Sequence, residues 1–413
     1  MTDLAQALCA ALVLLVPLAG AGLALMNAGL GRSRSAAHAM LAPLCAAAVA
    51  ILVYCACGWS WQSFPGRPAH VVGLVGGSWN WIAAEPFFLR GLAFDGSPAA
   101  LAAWLQMFSV ALAALIPLGA GNERWRLGAS CASTAILAGW TYPLFAHWVW
   151  GGGWLAQLGL LDAGGAGTIQ AVGGCTALAM AILLGPRHGK YDAEGVPAAF
   201  PGHNAVLMLF GCFLTWSGWI GLNGAGTLLF TGGGPAAIVR VAIDTTVSAA
   251  AGLLAAAALT RMRFGRPDAS LCANGWTAGL VAGSAACAWV APLAAAVIGA
   301  IAGALAVYSV ELLDVRVRVD DPGGAISVHA VGGLWGLLAV ALFGPGKWSA
   351  QLAGVATLLV FVLPMTYSLN WLLNRFYPQR VPAESEPHGL DLYELGAGAY
   401  PEFVTRRDDF RPR

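Results

Sequence analysis

Two polar residues in otherwise apolar segments, Gln170 and His329, occupy equivalent positions of an internal repeat. Residues 162–186 (DAGGAGTIQAVGGCTALAMAILLGP) and 321–345 (DPGGAISVHAVGGLWGLLAVALFGP) align without a gap at an offset of 159, with 12 identities in 25 positions. A histidine can bind or release a proton near neutral pH, whereas a glutamine only donates and accepts hydrogen bonds. The pair therefore predicts hydrogen-bonding or proton-transfer chemistry with a single titratable group.

The segments that must position these residues are long and apolar. Of the 413 residues, 58% are hydrophobic and 10% are charged, whereas about a quarter are charged in soluble domains. A membrane-spanning helix needs about 20 apolar residues, and the sequence predicts eleven such helices. They cover residues 5–28, 37–59, 100–122, 127–149, 168–185, 203–225, 235–259, 269–287, 291–312, 325–343 and 350–374. The chain thus divides into a transmembrane domain, residues 1–375, and a polar tail, residues 376–413.

Basic residues are distributed unequally between the two ends of these spans. If the N-terminus lies outside, 17 of the 21 lysines and arginines fall on the cytoplasmic side, including four arginines in residues 404–413. The four that fall outside are Arg67, Arg90, Arg240 and Lys347. The positive-inside rule then predicts a cell (inner) membrane protein with its N-terminus outside and its C-terminus in the cytoplasm.

In this topology the two copies of the repeat cross the membrane in opposite directions, because Asp162 falls outside and Asp321 inside. Gln170 and His329 each follow their aspartate by eight residues, a helical rise of about 12 Å, which places both near the bilayer centre. Opposed repeats are typical of transporters whose substrate path lies at the midplane. The sequence predicts an all-α membrane protein with an inverted repeat of five plus five helices and one outer helix. Gln170 and His329 should face each other across a pore. The alternative is a histidine that is merely hydrogen-bonded within the bundle.

A charged residue, Asp244, falls within the seventh predicted span near its outer end, where charge is unusual. Arg240 precedes it by four residues and could pair with it on one face of the helix. The alternative is that Asp244 provides an anionic site that attracts cations.

The composition disfavours several other classes of function. A net charge of +1 provides no basic face for a nucleic acid. The nine cysteines form neither a CxxC pair nor a metal-type cluster, so we interpret them as core residues and expect no metal or cofactor. The sequence shows no combination of a nucleophile and a base that would indicate an enzyme. The tryptophans and phenylalanines between spans two and three, beginning at Trp59, are typical of an aromatic belt at the lipid interface.

Eight short motifs are spread over nearly the whole chain. They are Ala146-His-Trp-Val-Trp-Gly-Gly-Gly-Trp-Leu-Ala-Gln, Asn122-Glu-Arg, Gly185-Pro-Arg, Gly218-Trp-Ile-Gly-Leu-Asn, Asp320-Asp-Pro, Val328-His-Ala-Val-Gly-Gly and, in the tail, Gly389-Leu-Asp and Ala399-Tyr-Pro. Together they resemble the motifs of the ammonium transporter (Amt/Rh) family. The resemblance implies eleven helices per subunit, a homotrimer in the lipid bilayer, and one narrow pore for ammonium or ammonia through each subunit.

The resemblance also implies an outer vestibule in which a tryptophan, a phenylalanine and a serine attract the ammonium cation, by cation–π attraction and a hydrogen bond. The tryptophan corresponds to Trp150, which is retained. The phenylalanine position corresponds to Ser109, although Phe108 is adjacent, and the serine position corresponds to Gly226. Two of the three recruiting groups are therefore missing.

Below the vestibule, the resemblance implies stacked phenylalanine gates and then two hydrogen-bonded histidines. The second phenylalanine corresponds to Leu222, the first histidine to Gln170 and the second to His329. The aspartate before the first histidine, mainly structural in the family, is retained as Asp162. Because glutamine cannot take up a proton, a relay of two imidazoles cannot operate as in the family, and we predict little or no ammonium-driven current.

Three functions fit these observations. The first is a channel or transporter for ammonium or ammonia whose altered pore gives weakened or electroneutral transport. The second is an ammonium sensor with little transport that signals through its cytoplasmic tail. There the resemblance implies contact with a PII-type signalling protein, although Leu395 replaces a histidine of the family's motif. The third is a conduit for another small neutral molecule.

Overall fold

The computed structural model describes residues 1–74 and 77–403, and these residues are mostly helical. Nine of the helices are long and apolar enough to cross a membrane, and two further segments coincide with predicted spans four and eight. We label these segments α1–α11 in chain order: Asp3–Leu30, Ser33–Gln62, Pro98–Gly121, 127–150, Ala166–Leu184, Ala205–Phe230, Ala237–Phe264, Ala269–Ala286, Pro292–Val317, Ile326–Phe343 and Trp348–Phe376. The described residues thus contain the eleven predicted helices. The four arginines of residues 404–413 lie outside the described residues.

Several helices extend a few residues beyond the predicted spans. α9 continues to Val317, whereas the apolar span was predicted to end at residue 312. Charged residues such as Asp314 and Arg316 lower the local hydropathy without interrupting backbone hydrogen bonding, so the helix continues past the apolar part. Within α1 the regular helix is interrupted at residues 14–16, immediately before Pro17, whose nitrogen has no hydrogen to donate.

The two copies of the repeat begin with the same capping arrangement. The Asp162 carboxylate accepts hydrogen bonds from the backbone amides five and six residues further on, at 3.0 and 2.8 Å. The Asp321 carboxylate accepts them from the amides four and five residues further on, at 3.0 and 2.7 Å. Both helices then open with a wide π-helical turn, Ala166–Ala171 and Ile326–Val331. In each copy the carboxylate satisfies first-turn amides that no helical carbonyl can reach.

α5 and α10 cross at two equivalent glycines, Gly174 and Gly333. A Cβ on Gly174 would lie 2.2 Å from the backbone nitrogen of Ala330, and one on Gly333 would lie 2.4 Å from the carbonyl oxygen of Ala166. Neither position has room for a side chain, so the two backbones approach closely, as small residues allow in membrane helices. The crossing lies about one helical turn beyond the two polar residues of the repeat and brings them together.

A second pair of equivalent contacts connects the two halves. The side chain of Asn27, on α1, packs against Gly323, and the side chain of Asn223, on α6, packs against Gly164. Gly164 and Gly323 are the third residues of the two repeat copies, and α1 and α6 are the first helices of the two halves. Each half therefore packs its first helix against the turn that precedes the fifth helix of the other half, in keeping with the five-plus-five inverted repeat.

One end of the bundle, the hairpin face, carries residues 63–97 between α2 and α3. An antiparallel hairpin of β1, Ala69–Leu74, and β2, Gly77–Ala83, forms there. The prediction of a purely helical chain missed this hairpin. The alternation of small polar and aromatic residues in Ser78-Trp-Asn-Trp is the local signal for a strand.

Aromatic residues of this segment pack against one another and against α4. The ring centroids of Trp81 and Trp148 lie 5.1 Å apart, and those of Trp79 and Trp154 lie 5.8 Å apart. Trp59 is only 1% exposed, so the expectation that it belongs to an aromatic belt at the lipid interface is wrong.

The opposite end of the bundle, the tail face, carries the tail. Asp391 accepts hydrogen bonds from the backbone amides of Ala37 and His38, near the start of α2, at 3.0 and 2.7 Å. Glu394 accepts one from the amide of Leu127, at the start of α4, at 2.7 Å. The two tail carboxylates thus satisfy first-turn amides of two helices and hold the tail on the bundle.

A buried ionic cluster also lies at the tail face, where three of the motifs meet. Arg187 donates to the Asp320 carboxylate at 2.9 Å and to the Glu123 carboxylate at 2.7 Å. Arg124 donates to the backbone carbonyl of Asp320 at 2.8 Å. All four side chains are 5% exposed or less, so their charges must be compensated within the protein, and Glu123 also pairs with Arg32.

Candidate functional site

Gln170 and His329 are in direct contact at the crossing of α5 and α10. The imidazole Nδ1 of His329 lies 2.8 Å from the amide Oε1 of Gln170, and the residues are 4% and 0% exposed, respectively. An amide oxygen only accepts, so Nδ1 donates, and Nε2 of the neutral ring remains an acceptor. Among the described residues, the Gln170 Nε2 has no hydrogen-bond partner. The site therefore offers one titratable nitrogen and one unused amide donor.

A small cavity borders His329 on the tail-face side. Its polar lining comes from Asn27, Asn274 and Thr277, and its apolar lining comes from α1, α3 and the beginning of α10. Within the described part of the chain, the side-chain oxygen of Asn274 accepts no hydrogen bond. The imidazole is therefore next to a space in which a small polar molecule would find unused acceptors.

On the hairpin-face side, Trp150 is held by two contacts. Its indole Nε1 donates to the carbonyl oxygen of Asp162 at 2.8 Å. Its ring is stacked on Phe230, with 4.6 Å between centroids and an interplanar angle of 8°. Two parallel rings so close leave no room for a cation between them, so this face of the indole is closed. Sequence reasoning missed Phe230, the last residue of α6, because no local pattern relates it to Trp150.

The residues at the expected phenylalanine positions lie within the helix bundle. Ser109 is fully buried, and its hydroxyl donates to the carbonyl of Leu105 at 2.9 Å. The Phe108 ring packs near Trp104, with 6.4 Å between centroids. Leu222 is 1% exposed and belongs to the main hydrophobic core. An aliphatic side chain and a small hydroxyl thus stand at the two positions where the family resemblance implied aromatic rings.

Gly226, at the expected serine position, faces the turn that begins with Asp162. A Cβ at residue 226 would lie 2.3 Å from the carbonyl oxygen of Ala163, so a serine would require the backbone to move. The turn itself is rigid, because the Asp162 carboxylate accepts four hydrogen bonds, two of them from Thr168 at 2.8 and 2.9 Å. The close approach of the two backbones therefore leaves no room for a serine side chain at residue 226.

A polar pair that we did not predict lies between α3 and α4. The buried hydroxyl of Tyr142 donates to the side-chain oxygen of Gln106, whose own amide nitrogen has no partner among the described residues. The signal was present in the sequence, because a glutamine within a predicted membrane span is unusual and should face the bundle interior.

Asp244 does not form the expected pair with Arg240. Asp244 is 1% exposed, and neither of its carboxylate oxygens has a hydrogen-bond partner in residues 1–74 and 77–403. Arg240 is exposed, one helical turn nearer to the hairpin face. Burying the guanidinium to reach the carboxylate would incur a desolvation penalty of several kcal/mol, so the pairing interpretation is wrong.

Comparisons with known proteins relate nearly the whole chain to one family. The family model described as Ammonium Transporter Family matches residues 6–400. The chain is 36% identical to ammonium transporter Amt2 of Archaeoglobus fulgidus, over 93% of this chain and 85% of that protein. Among solved structures, one described as Sensor Amt Protein has a TM-score of 0.86 at 29% identity, covering 94% of this chain and 98% of that one. Mep2 of Candida albicans has a TM-score of 0.82 at 25% identity, covering 93% and 88%.

Proposed function

This chain belongs to the ammonium transporter family, and from that premise we propose that its pore passes ammonia as a neutral molecule without net transfer of the proton. The observation that carries the proposal is the hydrogen bond between Gln170 and His329, which supplies one titratable group at the crossing of α5 and α10.

The physical reason is the cost of moving a charge through a dry passage. A bare ammonium ion in a low-dielectric interior loses far more hydration energy than the protein groups there can return. Removing a proton from ammonium leaves neutral ammonia, but net charge moves only if that proton also crosses. A proton carried along the pore needs consecutive acceptors, and the amide of Gln170 cannot accept one. His329 can hold a proton but has no second imidazole to receive it.

Lumenal pH in liposomes containing the purified protein tests this proposal. Ammonia that enters takes up a proton inside, so an inward ammonium gradient should raise the lumenal pH faster than in protein-free liposomes. We expect this alkalinisation to occur without a matching inward current. Acidification or an unchanged lumenal pH during measurable ammonium uptake would show that the proton crosses with the molecule.

The stacked pair Trp150 and Phe230 leads to a prediction about cation binding at the hairpin face. Phe230→Ala should strengthen methylammonium binding severalfold, because uncovering the indole restores a cation–π contact of about 0.5–2 kcal/mol. Isothermal titration of the purified protein measures this effect. Phe108→Ala is the matched control and should leave the affinity unchanged. Tight, saturable binding in the wild type that is lost in Trp150→Ala would show that the indole is already open.

A sensor is the second candidate function, and the position of the tail favours it. Asp391 and Glu394 connect the tail to the starts of α2 and α4, so a movement of either helix would be transmitted to the tail. A separate signalling protein of the PII type is the partner we propose at this surface. Ammonium-dependent binding of such a protein to the wild type, lost in Asp391→Asn, would support signalling.

We further propose a homotrimer in the cell (inner) membrane, with the hairpin face outside and the tail face in the cytoplasm. The homotrimer rests on membership of the family. The orientation is supported by the charge distribution, since the tail face carries basic residues such as Arg32, Arg124 and Arg187. In this arrangement residues 1–375 form the transmembrane domain and residues 376–413 the cytoplasmic tail, in keeping with the end of α11 at Phe376.

A further inference from the structure

Asp244 is a buried carboxylate in a membrane-spanning helix and has no hydrogen-bond partner among the described residues. It lies on α7, it is 1% exposed, and both of its oxygens lack a hydrogen bond within the described residues. An ionised carboxylate in such surroundings loses several kcal/mol of hydration, and the charge of Arg240, one turn away, offsets only part of this loss. Ionisable residues at such positions in membrane helices usually serve a function.

Oxygen-bearing side chains of the neighbouring helix α6 lie at about the same level along the bundle as Asp244. α6 runs antiparallel beside α7, and the amide Nδ2 of Asn223 donates to the hydroxyl of Thr245 at 2.9 Å. One helical turn further along α6, the Thr227 hydroxyl lies 3.9 Å from the thiol sulfur of Cys287, the residue that follows α8. Because the helices are antiparallel, Asp244 lies between the level of Asn223 and that of Thr227.

The same region adjoins the turn below Trp150. Val241 is on the buried face of α7, one turn before Asp244, and forms one buried cluster with Cys287 and Ala163. Ala163 directly follows Asp162, whose carbonyl holds the Trp150 indole. Asp244 is therefore in the hairpin-face half of the subunit, close to the turn that positions the Trp150 indole.

The unused acceptors define the kind of ligand that fits. Besides both Asp244 oxygens, the side-chain oxygen of Asn223 has no partner in the described part of the chain. Protonation of Asp244 would supply one donor without satisfying these other oxygens. Acceptors of this kind take a ligand with positive charge or with several N–H donors. A single carboxylate balances a single positive charge.

We propose that Asp244, with the side-chain oxygens of Asn223 and Thr227, forms a binding site for one monovalent cation, for which ammonium is the candidate supplied by the proposed function. The choice of ammonium as the ligand rests on membership of the ammonium transporter family. The site itself does not depend on whether transport is electroneutral.

The apparent melting temperature of the purified protein tests the site. A ligand that binds only the folded state raises this temperature as its concentration increases. Ammonium chloride, sodium chloride and potassium chloride are compared at constant ionic strength, with choline chloride as the balancing salt. We expect ammonium to raise the melting temperature of the wild type but not that of Asp244→Asn, with each protein compared with itself in choline. Arg240→Gln removes an exposed charge on the same helix and should retain the shift.

An equal rise with sodium or potassium also supports the site and broadens the ions it accepts. No rise in the wild type, or an undiminished rise in Asp244→Asn, would overturn the proposal. Infrared spectroscopy supplies a second measurement. A protonated-acid carbonyl band that is absent in Asp244→Asn, and that persists in the wild type at saturating ammonium, would assign Asp244 as a proton-holding acid and overturn it too. Neither measurement records a current. The proposal of a cation site can therefore fail while the proposal of electroneutral transport holds, and the reverse.

Discussion

Gln170→His is expected to raise the ammonium-driven current at least about tenfold above that of the wild type. The side chain at residue 170 already lies 2.8 Å from the His329 imidazole, so a histidine there places a second proton acceptor beside the first. A positioned proton-transfer group typically contributes about 10²–10⁴-fold to the rate of a process that depends on it. The current is measured with proteoliposomes adsorbed on a solid-supported membrane.

The matched control exchanges the two residues, combining Gln170→His with His329→Gln. This double variant retains one imidazole and one amide, so its current should stay at the wild-type value. If a folded Gln170→His variant shows no increase, the missing imidazole is not what limits charge movement. If the exchanged variant shows the same increase as Gln170→His, a single imidazole at residue 170 is sufficient and the pair is not required.

Asp320→Asn is expected to destabilise the protein by about 3–5 kcal/mol at neutral pH, which is typical when one partner of a buried ion pair is removed. The asparagine would leave Arg124 and Arg187 buried with too little negative charge. Burial acts to raise the pKa of Asp320, but the two guanidinium groups more than offset this and hold the pKa below its ordinary value. The apparent melting temperature in detergent measures the loss.

The lowered pKa also fixes the pH dependence of this contribution. A carboxyl whose pKa is lower in the folded state stabilises the fold fully above its unfolded pKa of about 3.9, and this stabilisation is lost as the pH falls through the folded pKa. The melting temperature of Asp320→Asn should therefore lie furthest below that of the wild type at neutral pH, and the two temperatures should converge in acid. The control is Glu311→Gln, which breaks an exposed pair with Arg263 and should leave the melting temperature nearly unchanged. A loss as small as the control's would contradict a structural role for the cluster.

The parts of the fold that were predicted are those set by regular patterns. Apolar length locates the helices, and the gapless repeat relates Gln170 to His329 before any contact is known. The contact follows from the two glycines one turn further along each helix, where no side chain fits. Helix ends were less certain, because hydropathy marks where a segment is apolar and not where its backbone hydrogen bonds stop.

The features that were not predicted depend on contacts between distant segments. The stacking of Phe230 on Trp150 joins the ends of two helices that no motif relates. The spacing of Arg240 and Asp244 correctly places both on one helix, but it cannot show that the arginine is exposed while the aspartate is buried one turn deeper. Spacing gives proximity along a helix, whereas burial is decided by the helices that pack around it.

The voltage dependence of ammonium uptake by wild-type proteoliposomes tests electroneutral transport most directly. One elementary charge crossing 100 mV gains about 2.3 kcal/mol, so ammonium entry as a cation must respond strongly to an inside-negative potential. Uptake by way of neutral ammonia should proceed at the same initial rate with and without a potassium diffusion potential. A rate that increases with the inside-negative potential, and that still does so in His329→Ala, would contradict both the neutral species and the role of the single imidazole.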